Sequence, residues 1–346
     1  MNLDFLKIDL RRLLRKPMGG SLLALDLRPT QMCLCQVDKQ GRPVLLERLP
    51  LSKDQQVSRE ALAALLDRVV RERHLAGTPC VMVLHRPDYA LLLTEAPQVP
   101  EAEIQSALRW KIGDLIDFPV NEAILDYFEL PPLQAGEARQ LYVVAARESV
   151  IQERVDLLRG AGLEPAYIDI AEKAQRNLAA RLPEDEQGVA VVEIGETESL
   201  LTITRRGDLL FSRTLPFGLD TALEQVMQQT ELSADMARSY LAGQGLLDDN
   251  SEDPPAAQLA LRFATERLAL ELQRSLDYYD SRFRRGAVRN LYLIFDGLYV
   301  PGLAAYLGTL TGTVCRDFPA VERPAHGATP SGCLLSYGAA LRELLA

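Results

Sequence analysis

Residues 22–51, LLALDLRPTQMCLCQVDKQGRPVLLERLPL, and residues 189–217, VAVVEIGETESLLTITRRGDLLFSRTLPF, follow the same plan, and this repeat decides the fold. In each, an apolar strand ends in an acid, Asp26 or Glu193, and a hairpin leads into a second strand. A turn that contains glycine then leads into a third strand, which runs into a proline. The two segments match in the first strand, in the acid at its end, in the hairpin and in the proline that follows the third strand. A match of this extent indicates an internal duplication. The repeat therefore predicts two related α/β lobes, each built on a mixed sheet.

The composition is typical of a globular protein with an acidic surface. The chain has 346 residues, 47% of them apolar, and a formal net charge of −10. Affinity for a phosphate backbone depends on clustered lysine and arginine, so we predict no nucleic-acid partner. The five cysteines show no framework spacing, and Cys33 and Cys35 are interpreted as buried thiols of one strand face. Together with the lack of a secretory signal, these features predict a cytoplasmic protein.

The first 19 residues are predicted to form a separate basic leader. Leucines and basic residues recur at helical spacing in MNLDFLKIDLRRLLRK (1–16), which indicates a short amphipathic helix. Such a helix fits peripheral contact with the inner membrane or with a partner. It fits a frayed, solubilising leader equally well.

The rest of the chain divides into two lobes. The first lobe is predicted to span residues 20–182 and to carry a small α+β insert subdomain at residues 97–165. The second lobe is predicted to span residues 183–346, with a helical subdomain at residues 219–289. We expect the C-terminal helix to return to the first lobe.

An acid at a strand end, followed by a tight hairpin, is how actin-like (ASKHA) nucleotide-binding folds hold phosphates. Backbone N–H groups of the hairpin bind phosphoryl oxygens, while the acid positions magnesium and its waters. Glycine is favoured two residues after the acid because a Cβ would crowd the ligand. A glycine pair after a late strand then accommodates the adenosine. The candidate nucleotide-binding residues are Asp26, Arg28 and Thr30 in the first hairpin, Glu193, Gly195, Glu196 and Thr197 in the second, and Asp296 and Gly297 after the late strand.

All three motifs depart from the pattern that binds nucleotide. Arginine stands at position 28 where glycine is favoured, Glu196 adds a carboxylate that would repel phosphate, and Asp296 replaces the first glycine of the adenosine motif. Arg28 could contact a phosphate, or it could take the place of the phosphate and pair with Glu193 or Glu196. The candidate cofactor is therefore ATP with magnesium, or none. No catalytic residue and no metal site is predicted.

Four segments outside the hairpins resemble one family. VPEAEIQSALRWKIGDLIDFPVNEAILDYFEL (99–130) and LYVVAARESVIQERVDLLRGAGLEPAYIDIAEKAQRNL (141–178) look like the insert domain and following strand of the PilM family of type IV pilus assembly proteins. ELQRSLDYYDS (271–281) and PSGCLLSYGAALREL (330–344) resemble the same family, closest to its MshI branch, from the mannose-sensitive haemagglutinin (MSHA) pilus. The resemblance implies an actin-like protein docked at the inner membrane by the cytoplasmic tail of a single-span PilN-like protein.

The resemblance also places a partner-binding surface in the first lobe, where the insert meets the core. Trp110 and Phe118 are the aromatic candidates for this groove, because such side chains often anchor peptides. The alternative is that both are core residues of the insert. The sequence and the resemblance leave three functions: a cytoplasmic scaffold of a pilus assembly machine, an active ATPase or small-molecule kinase that uses the same cleft, or a secretion-system component of the same fold. We expect the first, because the motifs of the cleft depart from the nucleotide-binding pattern.

Overall fold

The computed structural model describes residues 22–132, 138–246, 254–284, 286–321 and 333–345. The predicted basic leader lies outside the described residues. The strands are β1 (Leu23–Leu27), β2 (Gln31–Val37), β3 (Pro43–Pro50), β4 (Pro79–Val83), β5 (Tyr89–Glu95), β6 (Ala123–Glu129), β7 (Gln140–Arg147), β8 (Glu164–Asp169), β9 (Val189–Ile194), β10 (Ser199–Arg205), β11 (Asp208–Leu215), β12 (Asn290–Phe295) and β13 (Val314–Asp317). The α-helices are α1 (Lys53–Val57), α2 (Arg59–Glu72), α3 (Ile104–Ile112), α4 (Glu148–Gly160), α5 (Ala171–Ala179), α6 (Leu219–Thr230), α7 (Ala234–Gly243), α8 (Ala256–Phe283), α9 (Leu303–Thr311) and α10 (Leu334–Ala340).

Two five-stranded sheets have the same topology. Their strand orders are β3-β2-β1-β4-β8 and β11-β10-β9-β12-β13. In each sheet the first three strands in chain order form an antiparallel meander, and the remaining two pair in parallel through helical crossovers. The duplication read from the two hairpins therefore extends through both complete sheets. It also sets β1 and β9 at equivalent positions in their lobes.

The central strands form because both faces of each sheet are covered. Every residue of β9 is buried, as is nearly every residue of β1 and β2. Strands buried on both faces read as continuous apolar runs instead of alternating patterns. Helix α2 packs against the first sheet. Ser58 caps its N-terminus, and the Ser58 side chain accepts a hydrogen bond from the backbone N–H of Ala61. Its apolar stripe, Leu65, Leu66, Val69 and Val70, is buried against that sheet.

A third sheet, β5-β7-β6, forms the insert subdomain, and it is antiparallel throughout. One of its faces packs under α3, and the other packs against α4. The insert sheet thus covers residues 89–147, so the predicted insert range of 97–165 leaves out β5 and includes β8. Tyr89–Glu95 pairs with β7 inside the insert, whereas Glu164–Asp169 pairs with β4 in the first lobe. An apolar run identifies a strand, but it does not identify the sheet that the strand joins.

The C-terminal helix α10 packs on β1, β2 and α5 of the first lobe. It approaches α5 so closely that a Cβ on Gly338 would clash with the backbone carbonyl of Ala174. The hydroxyl of Tyr337 donates to the carbonyl of Gly41 at 2.9 Å. The apolar cluster around α5 and α10 also includes residues of β9 and β12, so these helices join the cores of the two lobes.

Candidate functional site

Four of the candidate residues, Asp26, Arg28, Glu193 and Asp296, meet where β1, β9 and β12 end. Asp26 lies near the end of β1, Glu193 near the end of β9, and Asp296 directly after β12. Because β9 and β12 are parallel neighbours, their carboxyl ends lie at the same edge of the second sheet. The backbone N–H of Asp296 donates to the carbonyl of Ile194 at 3.0 Å, which fixes this edge. Three carboxylates, one from the first lobe and two from the second, therefore converge across the cleft.

Arg28 joins these three carboxylates. Its Nε donates to Oδ1 of Asp26 at 2.8 Å, Nη2 donates to Oε1 of Glu193 at 3.1 Å, and Nη1 donates to Oδ2 of Asp296 at 3.4 Å. Arg28 is 7% exposed, Glu193 6% and Asp26 1%. One guanidinium of the first lobe thus forms ion pairs with two acids of the second lobe, a buried pair with Glu193 and a part-buried pair with Asp296, which lie 165 and 268 positions away in the chain.

Buried amide and hydroxyl groups complete this network. Nε2 of Gln31 donates to Oδ1 of Asp296 at 2.9 Å, and Arg48 donates to the side-chain oxygen of Gln31. On the other side, Nε2 of Gln175 donates to Oε2 of Glu193 at 3.2 Å, and Thr202 donates to Gln175 at 2.8 Å. Glu193 and Asp296 therefore accept hydrogen bonds at both of their carboxylate oxygens. We call the group formed by Asp26, Arg28, Gln31, Gln175, Glu193 and Asp296 the cleft network.

Burial raises the pKa values of the two most buried acids of the cleft network. It raises the pKa of Asp26 to about 6, although the nearby Arg28 opposes the shift. It raises the pKa of Glu193 to about 7, again against the pull of Arg28 and with Asp296 adding to the rise. Burial would lower the pKa of Arg28, but the attraction of Asp26, Asp296 and Glu193 outweighs burial and raises it. Oδ2 of Asp26 is buried with no hydrogen-bond partner among the described residues, which adds to the cost of ionising that acid.

Three backbone N–H groups near the hairpins that could face a phosphate have other partners. The backbone N–H of Arg28 donates to the carbonyl of Gln31 at 2.9 Å and closes the first hairpin. At the second hairpin, the N–H groups at the start of α6 face hairpin carbonyls: Leu219 donates to Gly195 at 2.9 Å, and Asp220 donates to Glu196 at 2.8 Å. Helix N-termini are common anion sites because their first N–H groups lack intrahelical partners. Here the hairpin backbone supplies the partners.

The model of the family described as type IV pilus assembly protein PilM matches residues 42–317. The chain belongs to this PilM family. A chain of the PilM-PilN type IV pilus biogenesis complex superposes with a TM-score of 0.76 at 24% identity, over 93% of this chain and 98% of that chain.

Two further structures share the fold of this PilM-family protein. The ethanolamine utilization protein EutJ of Carboxydothermus hydrogenoformans matches with a TM-score of 0.50 at 15% identity, over 96% of this chain and 93% of that chain. MreB5 of Spiroplasma citri, solved with AMPPNP bound, matches with a TM-score of 0.51 at 12% identity, over 95% of this chain and 97% of that chain. The predicted actin-like, two-lobed α/β fold is confirmed.

The remaining sequence-predicted residues of the PilM-family chain lie around the cleft network and not in it. Glu196 is half-buried, and its Oε1 lies 4.0 Å from Nη1 of Arg238 on α7. Of the two acids predicted as alternatives, Arg28 therefore has Glu193 as its partner. Thr30 and Thr197 are exposed. Gly195 is required by the tight hairpin, because a Cβ there would clash with the carbonyl of Glu198.

Gly297 is required by its backbone conformation. Its φ of +116° lies in the region that favours glycine, and a Cβ would meet no atom within 4 Å. In the described ranges no group of three or more His, Cys, Asp or Glu side chains is arranged to hold a metal ion. Likewise, none of the described helices is long and apolar enough to cross a bilayer.

The two aromatic candidates for a partner groove lie in different environments. Phe118 is 9% exposed and belongs to the insert core, with the guanidinium of Arg147 over its ring at 4.4 Å. Trp110 is 89% exposed. Only Trp110 is therefore available to a partner on the surface as described.

Sequence reasoning missed Gln31, Gln175 and Thr202. Each is at most 1% exposed, yet each belongs to an ordinary strand or helix pattern. Gln31 directly follows the first hairpin, and this position was the one available signal. Gln175 and Thr202 carry no sequence signal, since their role depends on a carboxylate that reaches them through the tertiary fold.

Proposed function

We propose that the chain is an actin-like scaffold of a type IV pilus assembly machine, of the MSHA-pilus MshI branch. It binds the cytoplasmic tail of an inner-membrane PilN-like protein and acts at the cytoplasmic face of that membrane. Membership of the PilM family and the fold shared with a chain of the PilM-PilN complex support this role. In this proposal the leader, residues 1–16, adds a peripheral contact with the membrane.

The observation that carries the scaffold function is the set of ion pairs around Arg28. In this proposal the nucleotide site is degenerate, and the guanidinium supplies the positive charge that a nucleotide-bound magnesium ion supplies to the acids of a nucleotide-binding cleft. Entry of ATP would require Arg28 to leave three carboxylates, two of them buried. Those carboxylates would then face phosphate oxygens of the same charge. The cleft thus joins the lobes without a nucleotide.

Three measurements test the proposal. Calorimetry of the full chain with ATP and magnesium is expected to show no binding at micromolar to millimolar nucleotide, and a coupled assay is expected to show no phosphate release. A pull-down with the cytoplasmic tail of the PilN-like protein from the same genome is expected to retain the chain. Magnesium-dependent ATP turnover together with no binding to that tail would contradict the scaffold function and support the ATPase or kinase alternative.

A further inference from the structure

Two thiols that are far apart in the chain meet inside the first lobe. Cys33 lies in β2, and Cys333 lies directly before α10, 300 positions later. Both side chains are fully buried. Their sulfur atoms lie 2.6 Å apart. Because a disulfide bond is about 2.03–2.05 Å long, the two sulfurs need to approach by only about half an ångström to form one.

The packing of α10 on the first sheet holds the two thiols together. Helix α10 packs on β2, and both cysteines belong to the same apolar cluster. The hydroxyl of Tyr337 on α10 donates to the carbonyl of Gly41, in the turn after β2, at 2.9 Å. The sulfur of Cys333 also lies 3.7 Å from the carbonyl oxygen of Glu47 on β3. The native fold therefore presents the two thiols to each other before any bond forms.

Cys35 is the competing thiol. It is also fully buried, and strand alternation places it on the same face of β2 as Cys33. Residues two apart on a strand are separated by about 6.6 Å, which is close to the largest Cα separation that a disulfide usually spans, about 6.8 Å. A bond within β2 is therefore disfavoured. Since it is the sulfur of Cys33 that lies 2.6 Å from that of Cys333, the geometry selects this pair.

We propose that Cys33 and Cys333 form a reversible disulfide when the chain is exposed to a peroxide, and that this bond ties α10 to the first lobe. We call the bond the Cys33–Cys333 bridge. In the first step one sulfur attacks the peroxide: an S–O bond forms, the O–O bond breaks and one water leaves. In the second step the other sulfur attacks the resulting sulfenic acid: the S–S bond forms, the S–O bond breaks and a second water leaves. The sulfurs lose two electrons to the peroxide oxygens, and the two thiol protons end in the waters.

The hydrogen bond with Cys333 and burial slow this reaction. Together they raise the pKa of Cys33 far above its ordinary value. Because the thiolate is the reactive form, the bridge is expected to form over hours and not seconds. Rapid redox sensors have exposed thiols of low pKa, which this pair does not. In a reducing compartment the two thiols stay reduced, and the bridge forms only under prolonged oxidation.

The bridge would constrain both lobes. The cluster that contains the two thiols also joins the cores of the lobes through β9 and β12. In addition, Cys33 pairs in register with Asp26, a member of the cleft network, on the neighbouring strand. The ring that the bridge closes spans 300 positions. Closing so long a loop removes conformational entropy from the unfolded chain, so the bridge is expected to raise the stability of the fold.

Counting thiols before and after oxidation tests the proposal. The reduced full chain is incubated with hydrogen peroxide at pH 8 for several hours, quenched with catalase, unfolded and treated with Ellman's reagent. The number of reactive thiols is expected to fall from five to three, and dithiothreitol is expected to restore all five. Peptide mapping without reductant is expected to show the peptide of Cys33 linked to that of Cys333. The urea midpoint of the oxidised chain is expected to rise by about 1 M.

Two variants separate the bridge from other oxidation. Cys333→Ala is expected to keep its four thiols after the same treatment and to show no shift in the urea midpoint. Cys80→Ala is the matched control, because Cys80 is an equally buried thiol on β4 of the same sheet. It is expected to fall from four thiols to two and to keep the shift. Peptide mapping of the unaltered chain needs no variant, so it decides the pairing even where a variant does not fold.

Four results would overturn the proposal. These are five free thiols after oxidation, a bridge that contains Cys35 in place of Cys33, a bridge between two chains, and sulfinic or sulfonic acid at either cysteine of the pair. A Cys33–Cys333 bridge with an unchanged urea midpoint would refute the constraint on the fold.

Discussion

Replacing Arg28 by alanine tests whether the cleft network holds the lobes together. The substitution leaves Asp26 and Glu193 buried without their cation, and removing one partner of a buried ion pair costs about 3–5 kcal/mol. The cost depends on pH, because protonation of the two acids relieves the uncompensated charge. The loss in the free energy of unfolding is therefore expected to be about 3–5 kcal/mol at pH 8.

The sign of the pH dependence follows from the raised pKa values. The pKa of Glu193 is about 7 in the folded chain, against an ordinary value of 4.5, and that of Asp26 is about 6, against 3.8. Between the two values the folded state binds more protons than the unfolded state, so stability falls as the pH rises. Without Arg28 both folded values rise further. At pH 5.5, where both acids are largely protonated, the loss should shrink to about 1–3 kcal/mol, the scale of a lost hydrogen bond to a charged group.

The assay is urea unfolding at both pH values, followed by circular dichroism. Arg42→Ala is the control, because Arg42 pairs with Asp38 on the surface with its side chain 75% exposed. Exposed pairs contribute about 0–1 kcal/mol. A loss below 1 kcal/mol for Arg28→Ala at pH 8, or an equal loss at both pH values, would refute the reasoning.

Three further outcomes are expected. Glu193→Gln removes a group whose pKa is about 7 in the folded chain. When the pH is raised from 5.5 to 8, the free energy of unfolding measured in urea should therefore fall by about 2 kcal/mol more in the unaltered chain than in the variant. Identical pH profiles would contradict this. Gly338→Ala should lower the free energy of unfolding by about 1–3 kcal/mol, because the added Cβ clashes with the carbonyl of Ala174. Gly160→Ala is the control: a Cβ at that position meets no atom within 4 Å, so the free energy of unfolding should change by at most about 0.5 kcal/mol. Ellman's reagent should label the native chain only at Cys315, because the other four cysteines are buried. The reaction should be slow, because burial raises the pKa of the Cys315 thiol to about 12, and all five cysteines should react after unfolding. Rapid labelling of two or more native thiols would contradict this.

The sequence by itself determined the fold class and where the cleft lies. Two copies of one strand, acid and hairpin pattern predict two lobes, and they place Asp26 and Glu193 at strand ends. The hairpin pattern also shows that Arg28 occupies a position at which nucleotide-binding folds favour glycine. These features are readable because strand periodicity, turn residues and repeats are properties of neighbouring positions.

Only the tertiary structure decided which partners these residues have. Arg28 had Glu193 and Glu196 as alternatives, and it pairs with Glu193 because β9 places that side chain in the cleft, while Glu196 lies near Arg238. Gln175 joins the cleft network through α5, with no signal of its own in the sequence.

The insert shows the same limit. Its sheet runs from residue 89 to residue 147, because strand pairing, and not strand propensity, assigns a strand to a sheet. Trp110 and Phe118 were equivalent aromatic candidates in the sequence, yet Phe118 is in the core and Trp110 is in water. A residue's pattern states that it belongs to a helix, a strand or a turn. What it faces depends on distant chain segments, 268 positions away for Arg28 and Asp296, and only the folded chain brings those segments together.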